Sequence, residues 1–214
     1  AMTLAGKHIG FDREVLANDE PGLRRFARLC VRQGVTTATD LANLLPPAAV
    51  AMMKRVTDEA TFPVRIMSFR RFQGVTPQQA VDHVVDLRGQ ATEMLRLGAI
   101  KLFVDGSIQG FSARLRWPGY YNGAPNGLWY TIPGQIRELY HLALEQGILV
   151  HSHTNGDQAT EMALDCLEQA LRDEPARDHR FTLQHCQLAD AAQFRRMKAL
   201  GMCVNLFPNH HFYW

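Results

Sequence analysis

Apolar segments alternate with amphipathic segments about six times along this chain, and this alternation constrains its fold more than any other feature. The apolar segments are rich in β-branched residues and predict strands. These strands are predicted at residues 35–40, 64–69, 99–104, 148–153, 181–185 and 202–207. The segments between them predict helices, and strands separated by helices pair in parallel through right-handed crossovers. The sequence therefore predicts an α/β fold.

Two helix boundaries follow from local signals. Thr76 and Pro77 are typical of a helix start, and the apolar spacing predicts that this helix continues to Leu97 and stops at Gly98. Asp157 is predicted to be the N-cap of the helix that follows the strand 148–153.

Two parallel α/β architectures are compatible with this order of strands and helices. A doubly wound sheet would carry a glycine-rich phosphate turn after an early strand, and the sequence contains neither GxGxxG nor a Walker A motif. A (β/α)8 TIM-type barrel fits the even spacing, although such a barrel has eight strands and about 250 residues. We therefore expect residues 1–214 to be one catalytic barrel domain, incomplete, with about six of the eight βα units.

Composition narrows the class of partner. The formal net charge is +2 and no basic stripe is present, so a nucleic-acid partner is not expected. No apolar run is long enough to span a bilayer. Cys30, Cys166 and Cys203 lie in apolar patterns and are predicted to be buried free thiols, which suits the cytoplasm. The open sheet edges of an incomplete barrel favour a homo-oligomer, and the expected ligand is a small molecule.

Polar residues occupy the ends of several predicted strands. His151 and His153 end one strand, two residues apart and thus on one face, and His185 ends the next. His210 follows the last strand. The carboxyl ends of consecutive barrel strands surround one mouth, so these imidazoles are expected to converge there. Imidazole is a ligand for zinc and similar divalent metals.

Lys101 interrupts the apolar strand 99–104. An unpaired buried ammonium is costly, so this lysine needs a partner, a lowered pKa or chemical modification. Two roles remain open. Carbon dioxide converts a lysine to an anionic carbamate that can bridge metals, whereas the neutral amine can form a Schiff base.

Residues 107–131 form a long predicted loop with several Gly, Pro and aromatic residues. A loop of this length within a compact domain often acts as a lid. Trp117 and Trp129 are therefore predicted to cover an apolar or aromatic part of a substrate.

Four segments resemble the amidohydrolase superfamily, and within it amidohydrolase family 3 (YtcJ-like). Residues 98–107 resemble the strand-four signature around Lys101, and residues 153–159 resemble the strand-five motif His-x-x-Gly-Asp-x-Ala. Residues 184–187 resemble the strand-six motif Glu-His-x-Gln, with Gln184 in place of the acid. Residues 208–210 resemble the strand-seven motif Pro-x-His.

The resemblance implies a distorted TIM barrel that binds one or two divalent metals, usually zinc, and hydrolyses a non-peptide C–N bond with metal-activated water. It makes Lys101, His153 and His185 the catalytic metal ligands, with Lys101 carboxylated. It places His210 against the substrate. His151 is expected to orient a metal ligand without binding the metal itself. Asp105 and Asp157 are expected to hold the loop and the turn at the mouth of the site.

The chain also departs from the family pattern. The His-x-His after strand one has no counterpart, because His8 stands alone, and the strand-eight aspartate would follow Trp214. The first strand, the last strand and the β-sandwich flanks are expected to be missing. Two alternatives stay open: a metal-free lyase or aldolase that uses Lys101 as a Schiff base, and a catalytically inactive barrel fragment.

Overall fold

The computed structural model describes residues 19–213, which form six strands and seven helices in regular alternation. The strands are β1 (Thr37–Asn43), β2 (Arg65–Arg71), β3 (Leu95–Phe103), β4 (Leu149–Thr154), β5 (Thr182–His185) and β6 (Cys203–Leu206). The helices are α1 (Glu20–Arg32), α2 (Pro47–Thr57), α3 (Pro77–Arg88), α4 (Pro133–Glu145), α5 (Asp157–Asp173), α6 (Ala191–Leu200) and α7 (Asn209–Tyr213).

The strands are parallel and follow one another in chain order, β1-β2-β3-β4-β5-β6. In register, Lys101 of β3 lies beside His151 of β4, and His153 of β4 lies beside Gln184 of β5. Sequential parallel pairing with a helix after each strand is the pattern of a (β/α)8 fold. The predicted fold class, an incomplete TIM-type barrel, is therefore confirmed.

The described chain divides into two compact units. One comprises residues 19–40, 44–67 and 91–96, and the other comprises residues 41–43, 68–90 and 97–213. In the first, Arg24 binds both Glu20 and Glu59, at 2.7 and 2.6 Å. All the site residues discussed below belong to the second.

The core of the second unit is built from the faces that β3, β4 and β5 turn toward the helices. Ile100, Leu102, Val150 and Leu183 are fully buried against apolar residues of α3, α4 and α5. The opposite strand face carries Lys101, His151 and the other polar residues. Each of these three strands thus has an apolar face toward the helices and an opposite face that carries polar side chains.

One predicted helix end is wrong. Helix α3 ends at Arg88, and residues 95–97, predicted to be helical, belong to β3. Leu95 and Leu97 are buried while Arg96 between them is exposed, which is the period of a strand. Gly98 lies within β3 at φ 104° rather than after a helix.

Two further expectations differ. The first strand is β1 at residues 37–43, displaced toward the carboxyl end from the predicted 35–40. Cys30 and Cys166 are buried as expected, but Cys203 is exposed because all four residues of β6 are exposed. Within residues 19–213, the helices are too short or too polar to cross a bilayer. His8 lies outside the described residues.

Candidate functional site

His153 occupies the carboxyl end of β4, and its ring is fixed from one side. Its Nε2 lies 3.0 Å from the carbonyl oxygen of Gly106. A carbonyl only accepts, so this contact requires the proton on Nε2 and leaves the lone pair on Nδ1. The amide nitrogen of Asn155 also lies 3.2 Å from Nε2, but it donates to the Gly106 oxygen at the shorter distance of 2.8 Å. Burial lowers the pKa of His153 to about 4, and the ring is therefore neutral near pH 7. The free lone pair of a neutral imidazole is what a metal ligand requires.

His185 reaches the same place through a kink at the end of β5. Its neighbour Gln184 lies in register with His153. His185 has a φ of 75°, in the left-handed region, and this ends the strand alternation that would point its ring to the other face. Its ring centroid lies 4.7 Å from that of His153, nearly edge to face. Burial lowers the pKa of His185 to about 4 as well.

Lys101 lies on β3 with a buried amine. The residue is 3% exposed, and its Nζ donates to the carbonyl oxygen of Leu102 at 3.3 Å and lies 4.7 Å from the Phe103 ring centroid. Burial lowers the pKa of Lys101 to about 7. Its charge also lowers the pKa values of His153 and His185, which places the three side chains in one electrostatic neighbourhood.

His151 lies beside Lys101 and is held by polar and aromatic contacts. Gln184 Nε2 donates to His151 Nδ1 at 2.7 Å, and the Oε1 of Gln184 accepts from Asn205 at 2.8 Å. The Phe69 ring centroid lies 4.5 Å from that of His151. Gln184 stands where the family motif has a glutamate, so its hydrogen bond brings no negative charge to His151. Burial lowers the pKa of His151 to about 4.

Asp105 joins the loops that follow β3 and β4. Its carboxylate accepts backbone N–H groups of Arg114, Asn155 and Gly156 at 2.9, 3.0 and 2.9 Å. Burial raises the pKa of Asp105 to about 6, and these N–H donors act in the opposite direction. One oxygen of this carboxylate also lies 3.9 Å from His153 Nε2. Asp105 therefore positions the mouth of the site.

A cavity of about 780 Å³ opens beside His153. Its wall includes Asp105, Phe103 and Arg71, and its remaining lining is mostly polar or glycine. Small-molecule sites usually have volumes of about 300–1,000 Å³. The cavity is thus large enough for a small-molecule substrate that reaches His153.

The donor set fits a divalent metal of the zinc type. Two imidazoles lie side by side, and burial lowers the pKa of the neighbouring-strand Lys101 to about 7. Among residues 19–213, no three histidine, cysteine, aspartate or glutamate side chains are grouped to hold a metal. A metal here would therefore be held by the His153–His185 pair together with Lys101.

Asp157 and His210 lie around this centre. Asp157 is the first residue of α5, and the N-cap is Gly156, so the predicted N-cap is wrong by one residue. Asp157 instead accepts the backbone N–H of Arg116 at 2.9 Å and ties the long loop to α5. His210, at the start of α7, has its ring centroid 6.1 Å from that of His185.

The two tryptophans lie away from the histidines. Trp117 is 94% exposed, and Trp129 packs on the core, with the Arg114 guanidinium 4.8 Å from its ring centroid. Neither lines the cavity beside His153. Their role in covering a substrate stays a prediction.

Two residues of the site were not found from the sequence. Arg71 ends β2 and lines the cavity, and the rule that selected the polar ends of later strands would have selected it too. Asn155 donates through Nδ2 to the Gly106 oxygen at 2.8 Å, beside His153. A contact between two loops leaves no periodic signal.

Comparison with known proteins gives a consistent family. The model of the amidohydrolase family matches residues 2–214. The chain is 27% identical over 195 residues to Protein LONG AFTER FAR-RED 3 of Arabidopsis thaliana, covering 88% of this chain and 33% of that protein. It is 28% identical over 131 residues to YtcJ of Bacillus subtilis (strain 168), covering 61% and 24%. The chain thus spans a third or less of these relatives.

Solved structures show the same fold. An uncharacterized metal-dependent hydrolase from Pyrococcus furiosus superimposes with a TM-score of 0.67 at 22% identity, covering 86% of this chain and 36% of that one. A similar hydrolase from Pyrococcus horikoshii OT3 gives 0.67 at 21% identity, covering 92% and 39%. With the family match over nearly the whole chain, and as the strand motifs predicted, this protein belongs to the amidohydrolase family.

Proposed function

We propose that this chain carries the metal-binding part of a hydrolase that cleaves a non-peptide C–N bond of the amide type. The observation that supports it most is the pairing of two neutral imidazoles, His153 and His185, at the ends of adjacent parallel strands. Membership of the amidohydrolase family supports the same reaction class. The ligand is a small molecule, and the cofactor is one or two divalent metals, with zinc the best match to imidazole donors.

A divalent metal bound here would polarise the substrate carbonyl and lower the pKa of water toward neutral. His153 would bind through Nδ1, because Nε2 is committed to the Gly106 oxygen. Lys101 supplies a neutral amine, the form that reacts with carbon dioxide. A new N–C bond forms, one proton is released, and the resulting carbamate is an anionic ligand.

The remaining residues hold the loops at the mouth of the site and orient the metal ligands and the substrate. Asp105 fixes the two loops at the mouth, so the Gly106 carbonyl stays in place against His153. His151 accepts a hydrogen bond from Gln184, which lies in register with His153, and so helps to hold that part of the sheet. The cavity beside His153 would bind the substrate, with His210 facing it from α7. Substrate contacts of Trp117 and Trp129 remain part of this proposal.

The test is to replace both ligands in the full-length protein. His153→Ala and His185→Ala should each lower metal content, measured by elemental analysis, and abolish hydrolysis of an amide panel. His141→Ala is the matched control, because His141 pairs with Glu145 on α4, away from the site. Retention of metal and activity in both site variants would refute the proposal.

One observation also favours the alternative of a metal-free lyase or aldolase. Lys101 is buried and its pKa is lowered to about 7, as a Schiff-base amine requires. Borohydride would trap a carbonyl substrate on Lys101 in that case and not in a hydrolase. Absence of both metal and trapped adduct would favour the third possibility, an inactive barrel fragment. A cytoplasmic location and a homo-oligomer also stay proposals.

A further inference from the structure

Among the described residues that line the cavity beside His153, Arg71 is the one arginine or lysine. It ends β2, and its guanidinium carbon lies 5.1 Å from the centroid of the Phe103 ring. The same ring lies 5.4 Å from that of His153. Phe103 therefore lies near both the guanidinium and the imidazole, and Arg71, Phe103 and His153 line one cavity.

The guanidinium has no acidic partner within residues 19–213. Arg71 forms no ion pair there, and its Nε is buried without a hydrogen-bond partner. A buried donor left unpaired costs free energy, so such a group is normally completed by a partner, which can be water, an ion or a ligand. The only carboxylate on the cavity wall, Asp105, is occupied by three backbone N–H groups.

The neighbouring Arg70 shows what a structural arginine on this strand looks like. Arg70 is buried on the opposite face of β2, where its Nε donates to His83 Nδ1 at 3.1 Å and its Nη1 to the carbonyl oxygen of Arg71. Both contacts are made within the protein. Arg71 has only the ring of Phe103, and this difference indicates that its hydrogen bonds are completed by something that enters the cavity.

We propose that Arg71 is a specificity-determining residue that binds a carboxylate on the substrate. The planar guanidinium fork matches a carboxylate with two parallel hydrogen bonds. The contact with the Phe103 ring restricts the orientation of the guanidinium before binding, which reduces the conformational entropy lost on binding. The substrate class is then an amide that carries a carboxylate within the cavity it shares with His153. This inference rests on the proposed function for its substrate class.

The test compares carboxylates with their neutral carboxamides in the full-length protein as isolated. The probes are benzoate and benzamide, N-benzoylglycine and its amide, and N-acetylphenylalanine and its amide, measured by titration calorimetry. In at least one pair the carboxylate should bind about tenfold more tightly, the value of one charge-assisted hydrogen bond. Arg71→Gln should remove this preference, and Arg71→Lys should restore part of it.

The matched control is Arg172→Gln, which removes the same charge from an exposed side chain on α5. This control should keep the preference. Equal binding in all three pairs, including no binding, would overturn the inference, as would a preference that survives Arg71→Gln. If that variant does not fold, phenylglyoxal labelling of the unaltered protein replaces it: carboxylates should protect Arg71, and carboxamides should not.

These outcomes are separable from those of the proposed hydrolase. Binding preference is measured without turnover, whereas the His153 and His185 variants report on metal and hydrolysis. A preference that depends on Arg71 in a protein without metal or hydrolysis would leave the anion subsite and refute the hydrolase. Hydrolysis of neutral amides without any carboxylate preference would support the hydrolase and refute the carboxylate subsite at Arg71.

Discussion

At the scale of single residues, the mouth of the site depends on how closely two loops can approach. Gly156 is the N-cap of α5, and the backbone of Arg114 lies directly against it. A Cβ at Gly156 would be 1.8 Å from the Arg114 carbonyl oxygen, which is backbone and cannot rotate away. The φ of Gly156 is −77°, so glycine is required here for space and not for backbone conformation.

We predict that Gly156→Ala destabilises the protein by about 3 kcal/mol, since overpacking against backbone forces the loop to move. The hydrogen bonds of Asp105 to Arg114 and Gly156 should weaken at the same time. The measurement is the free energy of unfolding in urea. Gly134→Ala is the control, because Gly134 lies in the first turn of α4 with no atom within 4 Å of an added Cβ. Equal stabilities of the two variants would contradict this account.

At the scale of elements, α6 is joined to α5 by polar contacts of two residues, Gln193 and Arg196. Arg196 of α6 binds Glu161, Asp165 and Glu168, which lie on one face of α5 at helical spacing. Hydrogen bonding to Arg196 lowers the pKa of Glu168. For Glu161, burial acts to raise the pKa, but Gln193 and the charges of Arg196 and Arg116 outweigh it and lower it.

We therefore predict that Arg196→Met lowers stability near pH 7 by about 1 kcal/mol, the scale of a partly exposed ion pair. A carboxylate whose folded pKa is below its ordinary 4.5 stabilises the fold above that pH. The contribution is lost as the pH falls from 4.5 through the lowered folded pKa values, so the stability difference between the two proteins should shrink as the pH falls below 4.5. Urea unfolding at several pH values measures this, with exposed Arg195→Met as control. A difference independent of pH would argue for lost packing instead.

The order of the elements could be predicted from the sequence, and some of their bounds could not. Alternation of apolar and amphipathic segments is a local property, and it identified every strand of the sheet. Residues 95–97 were misassigned because Gly98 was taken as the end of the preceding helix, although Leu95 and Leu97 are two residues apart, which is the spacing of a strand. The deciding feature is burial on one strand face, which exists only after the sheet has formed.

The candidate site, too, could be predicted from the sequence only in part. The proximity of His153 and His185 could be predicted because residues at consecutive strand ends share one mouth, whatever their separation in sequence. The Gly106 carbonyl that sets the tautomer of His153, and the three N–H donors on Asp105, come from loops that meet only in the folded chain. Contacts of that kind leave no spacing to detect, so the arrangement of these loops required the structure.

At the scale of the whole molecule, β6 ends the order of the described strands and is exposed along its length. Val204 and Leu206 are 38% and 51% exposed, and Phe207 after them is 47% exposed. A parallel strand with one unpaired edge and apolar side chains is a template for another strand. Self-association of the 214-residue chain is the expected consequence.

We predict that this chain, prepared alone, forms concentration-dependent assemblies, and that Val204→Lys with Leu206→Lys shifts it toward monomer. Lysines on an edge strand repel a second copy and must be desolvated for pairing. Light scattering coupled to size-exclusion chromatography measures the mass over a range of concentrations. Val85→Lys is the control, since Val85 is 40% exposed on α3, away from the β6 edge. A chain that is monomeric throughout would show that the β6 edge is not sufficient for association. Association that persists in the double variant but disappears in Val85→Lys would instead assign the contact to the helical face of α3.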